Sequence, residues 1–185
     1  MKFIINYSDT SFRRYMSRRS VNPFITKTEK IVLKAMKDLR INPKKVPVFI
    51  LTFRHGKIDG DANLTRYPEH RIVELTVNLH FIRYSDNKAV RNIIYHELGH
   101  LRDMIDPRFN YRPAKVDNMS AHFFKKFVTL WNISIDSRLN KKRLPSAIWG
   151  RKEDIVYFGI SDKIVKKIWG KRITYNNLVK YAKTF

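Results

Sequence analysis

A short histidine motif is the part of this sequence best equipped for chemistry. It reads His96-Glu97-Leu98-Gly99-His100, which is the HExxH pattern. Residues four apart in a helix project from one face, so both imidazoles can reach a single zinc ion at about 2.0–2.1 Å. Glu97 can then act as general base on a metal-activated water. The motif predicts a zinc-dependent hydrolase with His96 and His100 as metal ligands and Glu97 as the catalytic residue.

The residues around the motif predict a helix from Lys88 to Asp106. Ser85-Asp86-Asn87 supplies N-cap side chains, and Pro107 ends the helix. Five apolar residues recur on one face of it: Val90, Ile94, Leu98, Leu101 and Ile105. The two histidines fall on the opposite side, so we expect the helix to bury one face and direct its histidines into a cleft. The alternative is two surface histidines on a solvated helix.

A catalytic zinc needs a third protein ligand and leaves its fourth position to water. Asp106 is ten residues after His96, where metzincin-type enzymes place their third ligand, but Asp103 replaces the glycine of that pattern. Asp106-Pro107 is also typical of a helix end. Asp103 itself lies on the histidine face, where it could hydrogen-bond a ligand imidazole or, alternatively, face solvent beside Arg102 or a lysine.

Asp136 is the stronger candidate for the third ligand. The stretch Asp117–Lys141 reads as a long helix that is apolar over most of its circumference and therefore buried. One line of more polar side chains runs along it: Lys125, Thr129, Asn132, Asp136 and Asn140. A buried carboxylate is costly unless it is paired or binds metal. Metal ligation by Asp136 is favoured, and the alternative is a structural carboxylate bonded to a neighbouring arginine.

HExxH followed by W-N-x-x-x-D-x-x-x-N, from Trp131 to Asn140, resembles the zincin-like metallopeptidases encoded beside von Willebrand A-domain proteins. The similarity covers about 50 residues, from His96 to Pro145, and a looser one extends to minimal gluzincins and SprT-like proteases. The resemblance implies metal binding by His96, His100 and Asp136, acid/base catalysis by Glu97, and a supporting role for Asn132 and Asn140. The linker Pro107–Pro113 departs from the pattern by being short and basic, and no glutamate of the gluzincin type follows until Glu153.

The fold class predicted for residues 1–185 is α+β. We expect one zincin-like domain, a small mixed sheet packed on the HExxH helix and on a second ligand-bearing helix, with basic helical elements at both termini. The predicted elements are a helix over Thr26–Leu39, strands over Val46–Phe53 and Arg71–Phe81, and helices over Ser161–Trp169 and Thr174–Ala182. Residues 55–61 read as a plain turn rather than a calcium loop. The strand Arg71–Phe81 is expected to receive an extended peptide by β-augmentation.

The second outstanding feature is a net charge of +22, from 38 Lys and Arg against 16 Asp and Glu. Such a surface attracts nucleic acid or acidic proteins, and Tyr15, Trp149 and Trp169 lie near basic clusters where they could stack on bases. No sequence-specific nucleic-acid motif is present, so the expectation is non-specific association with DNA or RNA. The alternative is charge spread over solvated faces.

Two functions from different classes are therefore predicted. The first is a metallopeptidase with one zinc per chain and a peptide or protein substrate, whose oxyanion donor could be His122, Tyr157 or Tyr175. The second is a basic nucleic-acid-binding protein whose HExxH zinc site is structural or vestigial. The absence of cysteine excludes a disulfide scaffold and a Cys nucleophile. Without a signal peptide or a long apolar segment, we expect a cytoplasmic protein that makes no membrane contact.

Overall fold

The computed structural model describes residues 1–7, 18–54, 62–67, 71–112 and 119–184, without the side chains of 7 and 18–22. It divides into two compact units, Met1–Leu101 and Arg102–Phe185. Over these residues the architecture is mixed α+β, with a four-stranded mixed sheet and seven α-helices. The predicted fold class is confirmed at this level. The residue 55–61 turn lies outside the described residues.

The first unit contains the whole sheet. Its elements are β1 (Lys2–Tyr7), α1 (Arg18–Asp38), β2 (Val48–Arg54), β3 (Ala62–Tyr67), β4 (Ile72–Asn78), α2 (Leu79–Tyr84) and most of α3 (Asn87–Ile105), with a short 3₁₀ turn at Pro43–Lys45. The strand order is β1-β2-β4-β3; β1 and β4 are parallel to β2, and β3 is antiparallel to β4. Helix α1 makes the crossover that two parallel neighbours require.

One face of the sheet forms the core of this unit. Side chains alternate between the faces of a strand, and the register aligns Leu51 of β2 with Leu75 of β4. The side chains on this face of the two central strands are almost fully buried: Phe49, Leu51, Phe53, Val73, Leu75 and Val77. The other face carries polar side chains, where Thr52 donates a hydrogen bond to Glu74.

The structure corrects the prediction that the strand before the HExxH helix receives a peptide. Strand β4 is paired along both sides, with β2 and with β3, so its backbone groups are already used. The strand also stops at Asn78, whose side chain accepts the His80 N–H and begins α2. Within the described residues, the sheet ends at β1 on one side and at β3 on the other.

Helix α3 carries the HExxH motif and agrees closely with the prediction. It runs from Asn87 to Ile105, and Asp86 accepts the N–H of Ala89 in its first turn. The predicted apolar face is buried at Val90, Ile94, Leu98 and Leu101, while Ile105 is only half-buried.

The second unit is helical. Its elements after α3 are α4 (Ala121–Lys141), α5 (Ile148–Tyr157), α6 (Asp162–Ile168) and α7 (Tyr175–Ala182). Ser120 caps α4 by accepting the Phe123 N–H, so the helix begins four residues after the predicted start at Asp117. Helix α4 is mostly buried between Phe127 and Leu139, as predicted, but its first six residues are not, and Phe124 is 42% exposed. No helix in the described part of the chain is long and apolar enough to cross a membrane.

Candidate metal centre

Helix α3 brings the two motif histidines together. The His96 ring is buried and the His100 ring half-buried. Their Nε2 atoms are 3.2 Å apart, and the two rings are nearly perpendicular at 81°. The spacing of the motif in sequence has therefore brought the Nε2 atoms of two imidazoles next to each other.

This geometry fits two of the four positions around a zinc ion. Two nitrogens that each lie 2.0–2.1 Å from a tetrahedral ion are separated by about 3.3 Å. The observed 3.2 Å separation is close to that value. The same distance also permits a hydrogen bond in which one ring donates to the other, depending on their tautomers. Metal binding separates the two possibilities, because a zinc ion requires a lone pair from both nitrogens.

Glu97 is half-buried and follows His96 in the same turn of α3. Its neighbours Leu98 and Gly99 are buried. The core-facing Leu98 holds the helix in place, because its side chain is fully removed from solvent. Glu97 thus lies between the buried side of the helix and the histidines, as the helical periodicity predicts.

Among the described residues, no group of three His, Asp or Glu side chains is placed so that it could hold a metal ion. The structure therefore does not show a third ligand beside the two histidines. Asp136 lies in α4, in the second unit, and is fully buried. There its carboxylate accepts hydrogen bonds from Arg151 Nε at 2.7 Å and from the Ala147 N–H at 3.2 Å. A structural carboxylate bonded to an arginine is the alternative to metal binding that the sequence predicts for Asp136. Ligation of zinc by Asp136 stays a prediction.

Asp106 has the contacts of a residue that follows a helix. Helix α3 ends at Ile105, and Asp106 accepts the Arg108 N–H as well as two bonds from the Arg108 guanidinium. Burial raises the pKa of Asp106, but the hydrogen bonds and charge of Arg108 and the charge of Arg172 lower it by more. The pKa of Asp106 is therefore below its usual value. The helix-end interpretation of Asp106-Pro107 is confirmed.

Asp103 holds a buried ion pair that the sequence analysis missed. Its side chain is only 7% exposed. The carboxylate accepts hydrogen bonds from both terminal nitrogens of Arg138. It also accepts one from the indole N–H of Trp131 at 2.9 Å. Both expectations for Asp103 are therefore wrong, because its carboxylate does not face solvent and its hydrogen bonds go to Arg138 and Trp131 rather than to a ligand imidazole. Trp131 and Arg138 are seven residues apart and share one face of α4, but nothing in the sequence pairs that face with Asp103.

The three candidate oxyanion donors differ in exposure. His122 is exposed, and Tyr157 is 79% exposed. Tyr175 is fully buried, and its hydroxyl has no hydrogen-bond partner among the described residues. Burial raises the pKa of Tyr175, so its hydroxyl stays a donor at neutral pH.

No family model matches this chain, and neither a curated protein nor a solved structure does so.

Proposed function

We propose that this protein is a zinc-dependent metallopeptidase. The observation that carries the proposal is the approach of His96 Nε2 to His100 Nε2 at 3.2 Å on one helix, with Glu97 between them in sequence. Two imidazoles as ligands and an adjacent carboxylate as general base are typical of a hydrolytic zinc site, and this set differs from the cysteine-rich ligands of most structural sites.

The residues have distinct roles in this proposal. His96 and His100 would hold a zinc ion, with Asp136 proposed as the third ligand. When bound, zinc would supply Lewis-acid chemistry and lower the pKa of a water. The Glu97 carboxylate would take up a proton from the attacking water and return it to the leaving amine, because one carboxylate can serve as base and then as acid.

The order of elements supports a zincin-like arrangement. A small mixed sheet precedes the HExxH helix, and a long buried helix carrying Asp136 follows it. An extended peptide substrate would add to β3 rather than to β4, because β3 is the outermost strand beside β4 among the described residues.

Zinc content of the purified full chain tests the site. We expect about one zinc per chain, and we expect His96→Ala and His100→Ala each to abolish it because each removes a ligand. His80→Ala is the matched control, since His80 is also helical but exposed and in ring contact with Tyr84. Stoichiometric zinc in the His96→Ala, His100→Ala double variant would contradict the proposal.

A further inference from the structure

Among the described residues, Arg151 and Ile148 hold α5 to the rest of the second unit, and both lie on one side of the helix. Arg151 donates a hydrogen bond to the buried carboxylate of Asp136 in α4 at 2.7 Å, and Ile148 is buried. The bond from Arg151 to Asp154, at 2.6 Å, lies within α5 and positions the Arg151 side chain. The contacts of Arg151 and Ile148 fix the orientation of the helix in the second unit. The opposite side of α5 is therefore presented to solvent in a defined orientation.

That opposite side carries large apolar and aromatic side chains. Trp149 is 73% exposed, Val156 81% and Tyr157 79%. An α-helix turns by 100° per residue, which places three side chains within about 60° of one another around the helix axis: Trp149, Lys152 and Val156. Tyr157 lies about 80° from Trp149, on the side away from Lys152. We name Trp149, Lys152, Val156 and Tyr157 the α5 face. Adjacent exposed apolar side chains of this size are typical of an interaction surface.

Apart from the exposed Glu153, which lies between Trp149 and Tyr157 on the helix, the charge around the α5 face is positive. Lys152 Nζ lies 4.5 Å from the centre of the Trp149 ring. The exposed run Lys141-Lys142-Arg143 ends six residues before Trp149, a span of at most about 21 Å. Residues 102–185 contain 19 Lys and Arg against seven Asp and Glu. Four of those acids are in ion pairs with arginine: Asp103, Asp106, Asp136 and Asp154. The complementary partner is therefore an anion.

We infer that the α5 face, together with Lys141, Lys142 and Arg143, binds single-stranded nucleic acid. Unpaired bases stack on exposed aromatic rings irrespective of sequence, and lysines contact the phosphates. The bases of a duplex are stacked on each other, so the rings of Trp149 and Tyr157 would have no role in binding it. A second copy of this chain is disfavoured on the same surface because each copy carries a charge of +22.

The test is the affinity of the full chain for a fluorescent oligothymidylate of about 15 nucleotides, a length suited to such sites. Loss of the stacking contact with one base lowers the affinity by a factor of roughly 10 to 100. We therefore expect Trp149→Ala and Tyr157→Ala each to lower the affinity for the oligothymidylate by that factor. Trp149→Phe should restore most of the affinity, because it retains an aromatic face.

Tyr84→Ala is the matched control. Tyr84 is 67% exposed and has Arg83 over its ring at 5.4 Å, but it lies in α2 of the first unit. We expect its loss to leave the affinity unchanged. His96→Ala should also bind as the wild type does, which separates this inference from the proposed peptidase.

Salt and charge provide the second arm. Replacing Lys141, Lys142 and Arg143 by glutamine should reduce the slope of log affinity against log salt by about 2, because three phosphate contacts are lost. Glu153 lies beside Trp149 and Val156 on the helix, so Glu153→Gln should strengthen binding.

Three results would overturn the inference. One is wild-type affinity for the oligothymidylate in the Trp149→Ala, Tyr157→Ala double variant with its circular dichroism unchanged. Another is binding of a matched duplex at least as tightly as of the single strand, which would indicate phosphate contacts alone. The third is that vesicles containing phosphatidylserine bind the chain and displace the oligonucleotide, while Trp149→Ala abolishes binding to the vesicles and leaves binding to the oligonucleotide unchanged.

Discussion

At the scale of single residues, the spacing of the two histidines has a direct geometric consequence. A helix repeats every 3.6 residues, so His96 and His100 must lie on one face, and their rings need only adopt compatible rotamers to converge. The 3.2 Å separation of their Nε2 atoms shows that they do. Which residue completes the ligand set is a separate question that mutation can answer.

Loss of a residue that only hydrogen-bonds a metal ligand lowers metal affinity by roughly 10- to 100-fold. We expect Asp136→Ala to lower the affinity for zinc by more than this, because it removes a proposed ligand. Asp106→Ala is the matched control, since Asp106 is engaged by Arg108 and Arg172 at the end of α3. Zinc titration of both variants makes the measurement. Zinc lost in Asp106→Ala but kept in Asp136→Ala would move the third ligand to the metzincin position.

Arg151→Gln separates ligation from a purely structural role. If Asp136 served only to pair with Arg151, both Asp136→Ala and Arg151→Gln would destabilise the fold and leave zinc bound. Our proposal requires Arg151→Gln to retain zinc and Asp136→Ala to lose it.

The ion pair of Asp103 and Arg138 allows a stability prediction. Both side chains are nearly buried, at 7% and 12% exposure, so removing one partner leaves the other charge uncompensated. We expect Asp103→Asn and Arg138→Met each to lower the free energy of unfolding by about 3–5 kcal/mol, measured in urea. Lys34→Gln, which breaks the exposed pair with Asp38, should cost less than about 1 kcal/mol. Equal losses in the buried and exposed pairs would contradict this account.

At the scale of elements, Tyr95 of α3 donates a hydrogen bond to Asp38 at the end of α1 and so joins two helices of the first unit. The bond from Tyr95 is the largest cause of the lowered pKa of Asp38. A carboxylate with a lower pKa in the folded state adds stability above its unfolded pKa, and loses it as the pH falls through the folded pKa.

Tyr95→Phe should therefore cost about 1–3 kcal/mol of unfolding free energy at pH 7, the contribution of a hydrogen bond to a charged group. The difference from the wild type should shrink as the pH falls below about 4, the usual aspartate range. Tyr67→Phe is the control, because the Tyr67 bond to Glu74 is exposed and 3.4 Å long. A difference that stays constant from pH 7 to pH 3 would refute the linkage.

Elements with strong periodicity could be predicted from the sequence. Helix α3 was predicted within one residue at each end because its caps and apolar repeat agree. Helices α6 and α7 also lie inside the predicted ranges, since Ser161 and Thr174 are their N-caps. The helix predicted over Thr26–Leu39 overlaps α1, which ends one residue earlier at Asp38 but begins much earlier, at Arg18, ahead of an internal Pro23.

Two of the elements that were missed, β3 and α5, lack a local signal. Strand β3 has mostly polar or half-buried residues and is defined by its pairing with β4, which sequence periodicity does not reveal. Helix α5 exposes its apolar side chains, so it has no buried stripe to detect. The strand predicted over Arg71–Phe81 was too long because Leu79 and Phe81 continue its alternation after the chain has entered α2.

Pairings between distant residues were likewise beyond reach. Residue types suggested that Asp136 needs a partner, but Arg151 as that partner depends on how α5 packs on α4. The histidine pair was predictable because its geometry is local to one helix.

At the scale of the whole molecule, the core of the first unit does not depend on a metal. Its sheet and the buried face of α3 are apolar, and Leu98 and Leu101 are fully buried within the motif helix. A bound zinc adds only the stability of its own binding equilibrium.

Chelation of the purified protein should therefore lower the melting temperature and leave a cooperative thermal transition. A structural zinc protein behaves differently, because removal of its metal unfolds it. The measurement is a thermal melt followed by circular dichroism with and without chelator, with His96→Ala as the control that should show no chelator effect. Loss of the cooperative transition on chelation would favour the structural-zinc alternative.

The most direct test of the central claim is peptide hydrolysis by zinc-loaded Glu97→Gln beside the wild type. Cleavage of a denatured protein substrate is followed together with zinc content, and Glu29→Gln serves as the control because Glu29 is also helical and half-buried. Our account predicts about one zinc per chain in all three proteins and cleavage by the wild type and Glu29→Gln. It predicts loss of at least 100-fold of the activity in Glu97→Gln, the lower bound for a general base. Undiminished cleavage by Glu97→Gln, or no cleavage of any substrate by the zinc-loaded wild type, would contradict it.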